Sequence, residues 1–267
     1  MTAIAVDDAP GLLATLCAIA EAAGAEIMDV YGTDFAATQK SDASPLTQAD
    51  LRADAVIRQG LERTFPGVFI LSEESASANQ VPTDPFFLVD PLDGTREFVK
   101  RNGEFTVNIA LIEAGEPVAG IVAAPALGEL FFGARGVGCW KRQGATTRPL
   151  QVAPVDPAAP LRVIGSRSHG TDQLARWLAA LGRDHEFVAA GSSLKFCRIA
   201  EGQADVYPRL GPTSQWDTAA AQAVLEAAGG AVLDPAGRPL RYGLDRPVLN
   251  PYFVAMAATE LELPPLV

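Results

Sequence analysis

The amino-acid sequence predicts an α/β layered sandwich, with layers of helix alternating with layers of sheet. Three observations carry that expectation. Two long stretches near the N-terminus have helical spacing, the first marked by Leu13, Leu16, Cys17, Ala20, Ala23 and Ile27. The middle of the chain holds apolar runs of strand length separated by turn residues. Beyond residue 160, strand-like and helix-like stretches alternate.

Taken in order, Asp7, Asp8 and Pro10 mark the start of the first helix, because acids and an early proline suit a first turn. Thr47-Gln48-Ala49-Asp50 has capping-box spacing and opens a second helix running to about Phe65. VFIL (68–71) and FFLVD (86–90) are buried strands. FTVNIALIE (105–113), the turn AGEP and VAGIVAAP (118–125) form an antiparallel hairpin, and ELFFGA follows as a further strand. TTRPLQVAPVDPAAP (146–160) is proline-rich and aperiodic, so it reads as the crossing between two halves, 1–155 and 156–267. Then come strand RVIGS, a helix around 171–182, strand HEFVAA, a helix from Ser193, strand ADVYP and a helix from Trp216 to about Ala228.

With 21 basic against 32 acidic residues the net charge is −11, which disfavours polymeric nucleic acid and anionic membranes as partners. A small anionic substrate is still compatible with an acidic site, since bound divalent cations invert the local field. Three scattered cysteines with no CxxC pair argue against zinc and disulfides and fit a reducing cytosol. The N-terminus lacks the basic region of a signal peptide, and no continuous apolar run approaches the ~20 residues of a membrane span.

The chemistry is expected where acids cluster at strand ends and helix starts: Asp50, Glu73 with Glu74, Asp90 with Asp93, and Asp217. In Asp90-Pro91-Leu92-Asp93-Gly94-Thr95, two carboxylates three apart and the Leu92 carbonyl between them can converge on hard cations. Gly94 and Thr95 then open a helix whose free N–H groups suit phosphate. Each cluster also has a structural explanation. DPLDGT is rich in turn residues, Asp50 suits a cap, Glu73-Glu74 suits a solvated loop, and Asp217 suits a helix start.

The motifs FLVDPLDGTREF, LSEES, SPLTQAD and WDTAAAQAVLEAAGG together resemble the inositol monophosphatase-like superfamily of magnesium-dependent, lithium-sensitive phosphatases, across nearly the whole chain. KRNGEFTVNIALIE, SRSH, GSSLKFCRIAEGQADVYPR and GPTSQWDTAAA resemble one branch of it, the CysQ-type 3′(2′),5′-bisphosphate nucleotidases. The resemblance implies an inositol monophosphatase/fructose-1,6-bisphosphatase-like sandwich. The expected location is the cytoplasm, with peripheral association at the inner face of the cell membrane as the alternative, and the expected state is monomer or homodimer. It implies that Glu73, Asp90, the Leu92 carbonyl, Asp93 and Asp217 ligate two or three Mg²⁺ ions, with Mn²⁺ as a substitute. Asp50, Thr95 and Glu73 would prepare the attacking water, and Gly94 and Thr95 would hold the scissile phosphate.

The same resemblance gives His169, Ser192, Lys195 and Arg209, beside Asp217, to the nucleotide and its second phosphate. Lysine and arginine are the usual phosphate partners. In inositol-specific relatives the position matching Arg209 is typically a glutamate, which accepts from sugar hydroxyls, whereas arginine suits an anion. The implied reaction takes adenosine 3′,5′-bisphosphate to AMP and phosphate. Rival substrates are inositol monophosphate, fructose 1,6-bisphosphate and PAPS, and the rival class is a non-catalytic nucleotide-binding regulator. The Gln215-Trp216 junction departs from the pattern and is expected to stay clear of the chemistry.

Overall fold

The computed structural model describes residues 9–33, 38–39, 45–46, 48–74, 83–166 and 172–266. Asp7, Asp8, Thr47 and His169, named above as caps or site residues, lie outside these ranges. Helix α1 (Ala9–Tyr31) buries Leu13, Leu16, Cys17, Ala20, Ala23 and Ile27, the residues that set its period. By length and mean composition α1 is apolar enough to cross a membrane, which its interrupted apolar run did not suggest. Its apolar face is instead packed into a core shared with α2 (Gln48–Thr64) and the first sheet. The two helices touch at Gly60, where a Cβ would stand 2.8 Å from an Ile19 side-chain carbon.

Strands β1 (Thr38–Gln39) and β2 (Pro45–Leu46) form a small antiparallel ladder between these helices in sequence. The first large sheet runs in chain order through β3 (Phe69–Ser72), β4 (Phe86–Asp93), β5 (Thr106–Glu113), β6 (Glu116–Ala124), β7 (Glu129–Ala134), β8 (Gly138–Gln143) and β9 (Thr146–Leu150). Only β3 and β4 are parallel; every later neighbour is antiparallel. The expected crossing at 146–160 is therefore corrected. Residues 146–150 pair with β8 as an edge strand, and the crossing begins at 151. Four of the five β9 residues are exposed, so it carries no alternating apolar signal, and an edge tolerates Pro149.

The second sheet is built from β10 (Leu161–Ser166), β11 (His185–Ala190), β12 (Val206–Arg209), β13 (Ala231–Leu233) and β14 (Phe253–Met256), in the order β11-β10-β12-β14-β13. Its β11-β10-β12 part is parallel and β14 runs against both neighbours. The strands β13 and β14, three and four residues long, were not anticipated, because so few residues show no period. Between the sheets lie α5 (Leu194–Ala200) and α6 (Ala219–Ala227), and α4 (Asp172–Ala179) covers the far face of the second sheet through Trp177. The layers thus alternate helix, sheet, helix, sheet, helix. Close contact requires Gly120 on β6, where a Cβ would come within 2.2 Å of the Ala220 carbonyl oxygen of α6.

Helix α6 begins later than its sequence suggested. Residues 216–218 form a turn, Thr218 is the N-cap, and Asp217 therefore lies just outside the helix. Helix α5 is tied to the first sheet by buried charges: Glu201 accepts from Lys141 at 2.9 Å and pairs with Arg198, while Glu129 accepts from both cations. Every buried charge in this group has a partner of opposite sign, which offsets its desolvation.

Candidate active site

The site forms at the carboxyl ends of the parallel pair β3 and β4, the usual location for ligands in such sheets. The Glu73 backbone N–H donates to the Val89 carbonyl at 3.1 Å, so Glu73 and Asp90 emerge side by side. Between Asp90 and Asp93 three residue steps on β4 face two on β5, from Asn108 to Thr106. This irregularity is a bulge, where a proline such as Pro91 is tolerated, and it re-aims the carboxylates. Asp90 Oδ1 accepts from the Leu92 N–H at 3.1 Å, which fixes its rotamer. Gly94 then turns the chain with φ 91° into the short helix α3 (Thr95–Val99); a Cβ there would also crowd the Glu104 carbonyl at 3.2 Å.

Carboxylate oxygens of Glu73, Asp90 and Asp217 all lie within 4.8 Å of one another. Burial, then the charges of Glu73, Asp93, Asp217 and Asp50, holds the Asp90 carboxyl well above its usual range. Burial and then Asp93 push Asp217 up to about 8. Three mutually repelling carboxylates in one place make a set that a divalent cation would stabilise. The group contains oxygen donors and neither thiolate nor imidazole, which fits Mg²⁺ or Mn²⁺ better than zinc.

Around this group the other expected residues take distinct places. Asp50 is in the first turn of α2, 1% exposed, and close enough to act on Asp90. Thr95 Oγ1 donates to the Leu92 carbonyl at a long 3.4 Å. Asp93 stands beside the carboxylate group rather than within it, and its Oδ2 accepts from the Ser193 hydroxyl at 2.9 Å. Glu74 takes no part in the carboxylate group.

A cleft of about 110 Å³ opens next to the carboxylates, lined by Asp93, Gly94, Ser192, Lys195, Arg209 and Asp217 among others. Lys195 is 6% exposed, donates to the Ser192 carbonyl at 2.5 Å and lies 5.3 Å above the Tyr207 ring. Burial brings its pKa down to about 8, against the opposing pull of Asp93. Arg209 donates from Nε to the Gly211 carbonyl at 3.2 Å and from a terminal nitrogen to Pro212 at 2.7 Å. Ser192 has φ 44°, in the left-handed region, and its buried hydroxyl has no hydrogen-bond partner among the described residues.

Sequence reasoning missed the residues that join these parts. Ser193, 1% exposed, accepts from Asn108 Nδ2 at 2.9 Å and has Asp93 Oδ2 at 2.9 Å and the Asp217 carbonyl at 2.7 Å as acceptors for its single proton. It thereby links β4, β5 and the turn before α6. Glu97 lines the cleft, and burial raises its pKa. Gln215 is not among the cleft-lining residues but is buried behind them. The only signal for Ser193 was its place in GSSLKF, where its neighbour Ser192 was singled out instead.

Comparison with known proteins agrees with the geometry. The family model described as the inositol monophosphatase family matches residues 9–262. The chain is 48% identical over 246 residues to the 3′(2′),5′-bisphosphate nucleotidase CysQ of Salmonella typhimurium, covering 91% of this chain and 98% of that one. CysQ of Escherichia coli K12 matches with the same identity and coverage. Among solved structures, CysQ from Bacteroides thetaiotaomicron superposes with a TM-score of 0.81 at 37% identity, covering 92% of this chain and 97% of that one. The inositol monophosphatase from Anabaena gives 0.76 at 26% identity, with 97% and 98% covered. The chain belongs to the inositol monophosphatase family.

Proposed function

We propose that this chain is a Mg²⁺-dependent phosphatase that removes the 3′-phosphate of adenosine 3′,5′-bisphosphate, releasing AMP and phosphate. One observation carries the reading: Asp217 belongs both to the carboxylate group and to the wall of a cleft that also holds Lys195 and Arg209. Acids able to hold cations on one side and two fixed cations on the other suit a substrate with two phosphates. The two CysQ relatives at 48% identity bear a name that matches this chemistry.

In this proposal Glu73, Asp90, the Leu92 carbonyl, Asp93 and Asp217 hold two or three Mg²⁺ ions, with Mn²⁺ able to substitute. When bound, the ions would supply positive charge to the phosphoryl oxygens and make water more acidic. Glu73 and Thr95 orient the attacking water and Asp50 takes its proton through Thr95, so that water meets phosphorus in line with the leaving 3′-oxygen, which takes a proton from solvent and becomes the 3′-hydroxyl of AMP. The N–H groups of Gly94 and Thr95 hold the phosphate that is cleaved. Lys195 and Arg209 hold the one that stays, the arginine through a two-pronged contact. Ser192 offers the substrate a hydroxyl that has no partner among the described residues, and His169 is assigned the nucleotide.

Phosphate release with Mg²⁺ present tests this across adenosine 3′,5′-bisphosphate, inositol 1-phosphate, fructose 1,6-bisphosphate and PAPS. The first should show the highest kcat/KM. Preference for inositol 1-phosphate would move the chain to the other branch of its family. Nucleotide binding without turnover of any of the four would make it a regulator.

A further inference from the structure

Gln215 stands behind the cleft, two residues before Asp217, and is 2% exposed. Its side-chain Nε2 donates to the carbonyls of Gly243 at 3.0 Å and Pro247 at 2.9 Å, and its Oε1 accepts from the Gly243 N–H at 2.9 Å. All three bonds go to one surface strap, residues 243–250. The backbone strengthens the attachment: the Gln215 N–H donates to Val248 and the Asn250 N–H donates to Thr213, each at 2.8 Å, with Ser214 facing Leu249 as an antiparallel bridge.

The far end of the strap returns to the same segment. Asn250 Nδ2 lies 2.7 Å from the Ser214 carbonyl, 3.0 Å from Thr218 Oγ1 and 3.3 Å from Thr213 Oγ1. Inside the segment so held, Asp217 Oδ2 accepts from the Ser214 N–H at 2.8 Å, while the Asp217 N–H donates to the Ser214 carbonyl at 3.2 Å. Asp217 has no regular secondary structure of its own, since α6 starts only at Ala219. Its carboxylate is therefore aimed by Ser214, and Ser214 is placed by the strap.

We infer that Gln215 and Asn250 are positioning residues for Asp217, holding its segment against the strap 243–250 so that its carboxylate meets those of Glu73 and Asp90. A buried amide makes sense at position 215 in these terms. An apolar side chain would fill the same space, but it would leave the strap's inward-facing carbonyls and N–H without partners. Convergence of three ligands within 4.8 Å requires each to be fixed to a fraction of an ångström. The inference rests on the proposed metal site.

The test is the melting temperature of the metal-free protein as Mg²⁺ is added, a readout independent of turnover. Gln215→Met keeps the volume and removes the three side-chain bonds; Asn250→Ala removes those at the other end and decides the matter if the first variant does not fold. Removing a group that orients a metal ligand weakens binding by about 10- to 100-fold. The Mg²⁺ concentration giving half of the thermal rise should increase by that factor, while kcat at saturating Mg²⁺ recovers. A melting temperature lowered equally at every Mg²⁺ concentration, with an unchanged midpoint, would mean that both residues only pack, and overturns the inference. A native protein showing no thermal response to Mg²⁺ removes the metal site itself, and the positioning role with it.

Discussion

The Ser72 hydroxyl donates to Asp54 Oδ1 over 2.5 Å, joining the last residue of β3 to the helix that carries Asp50 one turn earlier. Ser72 is fully buried and Asp54 is 7% exposed, with Arg58 3.3 Å from its other oxygen. Glu73 follows Ser72 directly, so this bond ties the strand end that leads into Glu73 to the helix that carries Asp50. A hydrogen bond to a charged group contributes about 1.5–3 kcal/mol. Ser72→Ala should therefore lower the melting temperature by about 3–12 °C. An unchanged melting curve would show that the bond does not hold these two elements together.

Metal removal should abolish turnover. The group of Glu73, Asp90 and Asp217 offers oxygen ligands alone, so phosphate release should vanish in EDTA and return with Mg²⁺. Li⁺ should inhibit it, as the family resemblance implies. Activity that persists after exhaustive chelation contradicts the assignment of these acids as ligands.

The loss of folding stability with rising pH should be offset by metal. In the metal-free protein Asp217 is raised from 3.8 to about 8, chiefly by burial and then by Asp93. The folded state thus holds a proton that the unfolded chain releases near pH 4. That contribution to stability is complete below pH 4 and is lost as pH rises through about 8. A bound cation needs the deprotonated acid, so the thermal rise caused by Mg²⁺ should grow over the same interval. Melting curves from about pH 5 to pH 9, with and without Mg²⁺, check this; a rise independent of pH would contradict it.

The acids of the candidate site stood out in the sequence because each adjoins a stretch that the sequence marks locally: Asp90 after the apolar run FFLV, although β4 continues to Asp93, Glu73 just after the strand β3, and Asp50 at a helix start. The groups that tie them together did not. Ser193 meets Asn108 and Asp93 across separations of 85 and 100 residues, and Gln215 meets the strap about 30 residues on. Such contacts leave no period or motif behind, because a buried polar residue is explained only by the partner that folding brings to it. The hairpin β8–β9 was missed for a different reason. Its outer strand is exposed and holds a proline, so composition favoured a linker where pairing makes a strand.

Asp50 tests catalysis against a structural role. It is the third residue of α2 rather than the residue before the helix, so the structural role open to it is that of an acid near a helix start, worth about 0.3–1 kcal/mol. Asp50→Asn should leave the melting temperature nearly unchanged. If the carboxylate takes the water's proton, kcat should fall by roughly 10²-fold or more, the scale of general base catalysis. Near-native turnover in the Asn variant would return Asp50 to a purely structural role.

Arg209 tests specificity, and its present contacts make the design of the test matter. Its guanidinium donates to the carbonyls of Gly211 and Pro212, so Arg209→Ala both empties one wall of the cleft and loosens that loop. A charge-assisted contact to the retained phosphate contributes about 1.5–3 kcal/mol, which is on the order of 10- to 150-fold in kcat/KM. That loss should appear with adenosine 3′,5′-bisphosphate. Inositol 1-phosphate has no second phosphate, so its kcat/KM should fall only by whatever the loosened loop contributes. The ratio of the two losses therefore separates binding of the second phosphate from loop damage, with Mg²⁺ saturating and folding followed by melting temperature. Lys195→Met should shift the same ratio in the same direction, because Lys195 lines the same cleft and faces the same proposed phosphate. Equal losses on both substrates in normally folded variants would leave Arg209 and Lys195 as structural cations and remove the ground for preferring a bisphosphate.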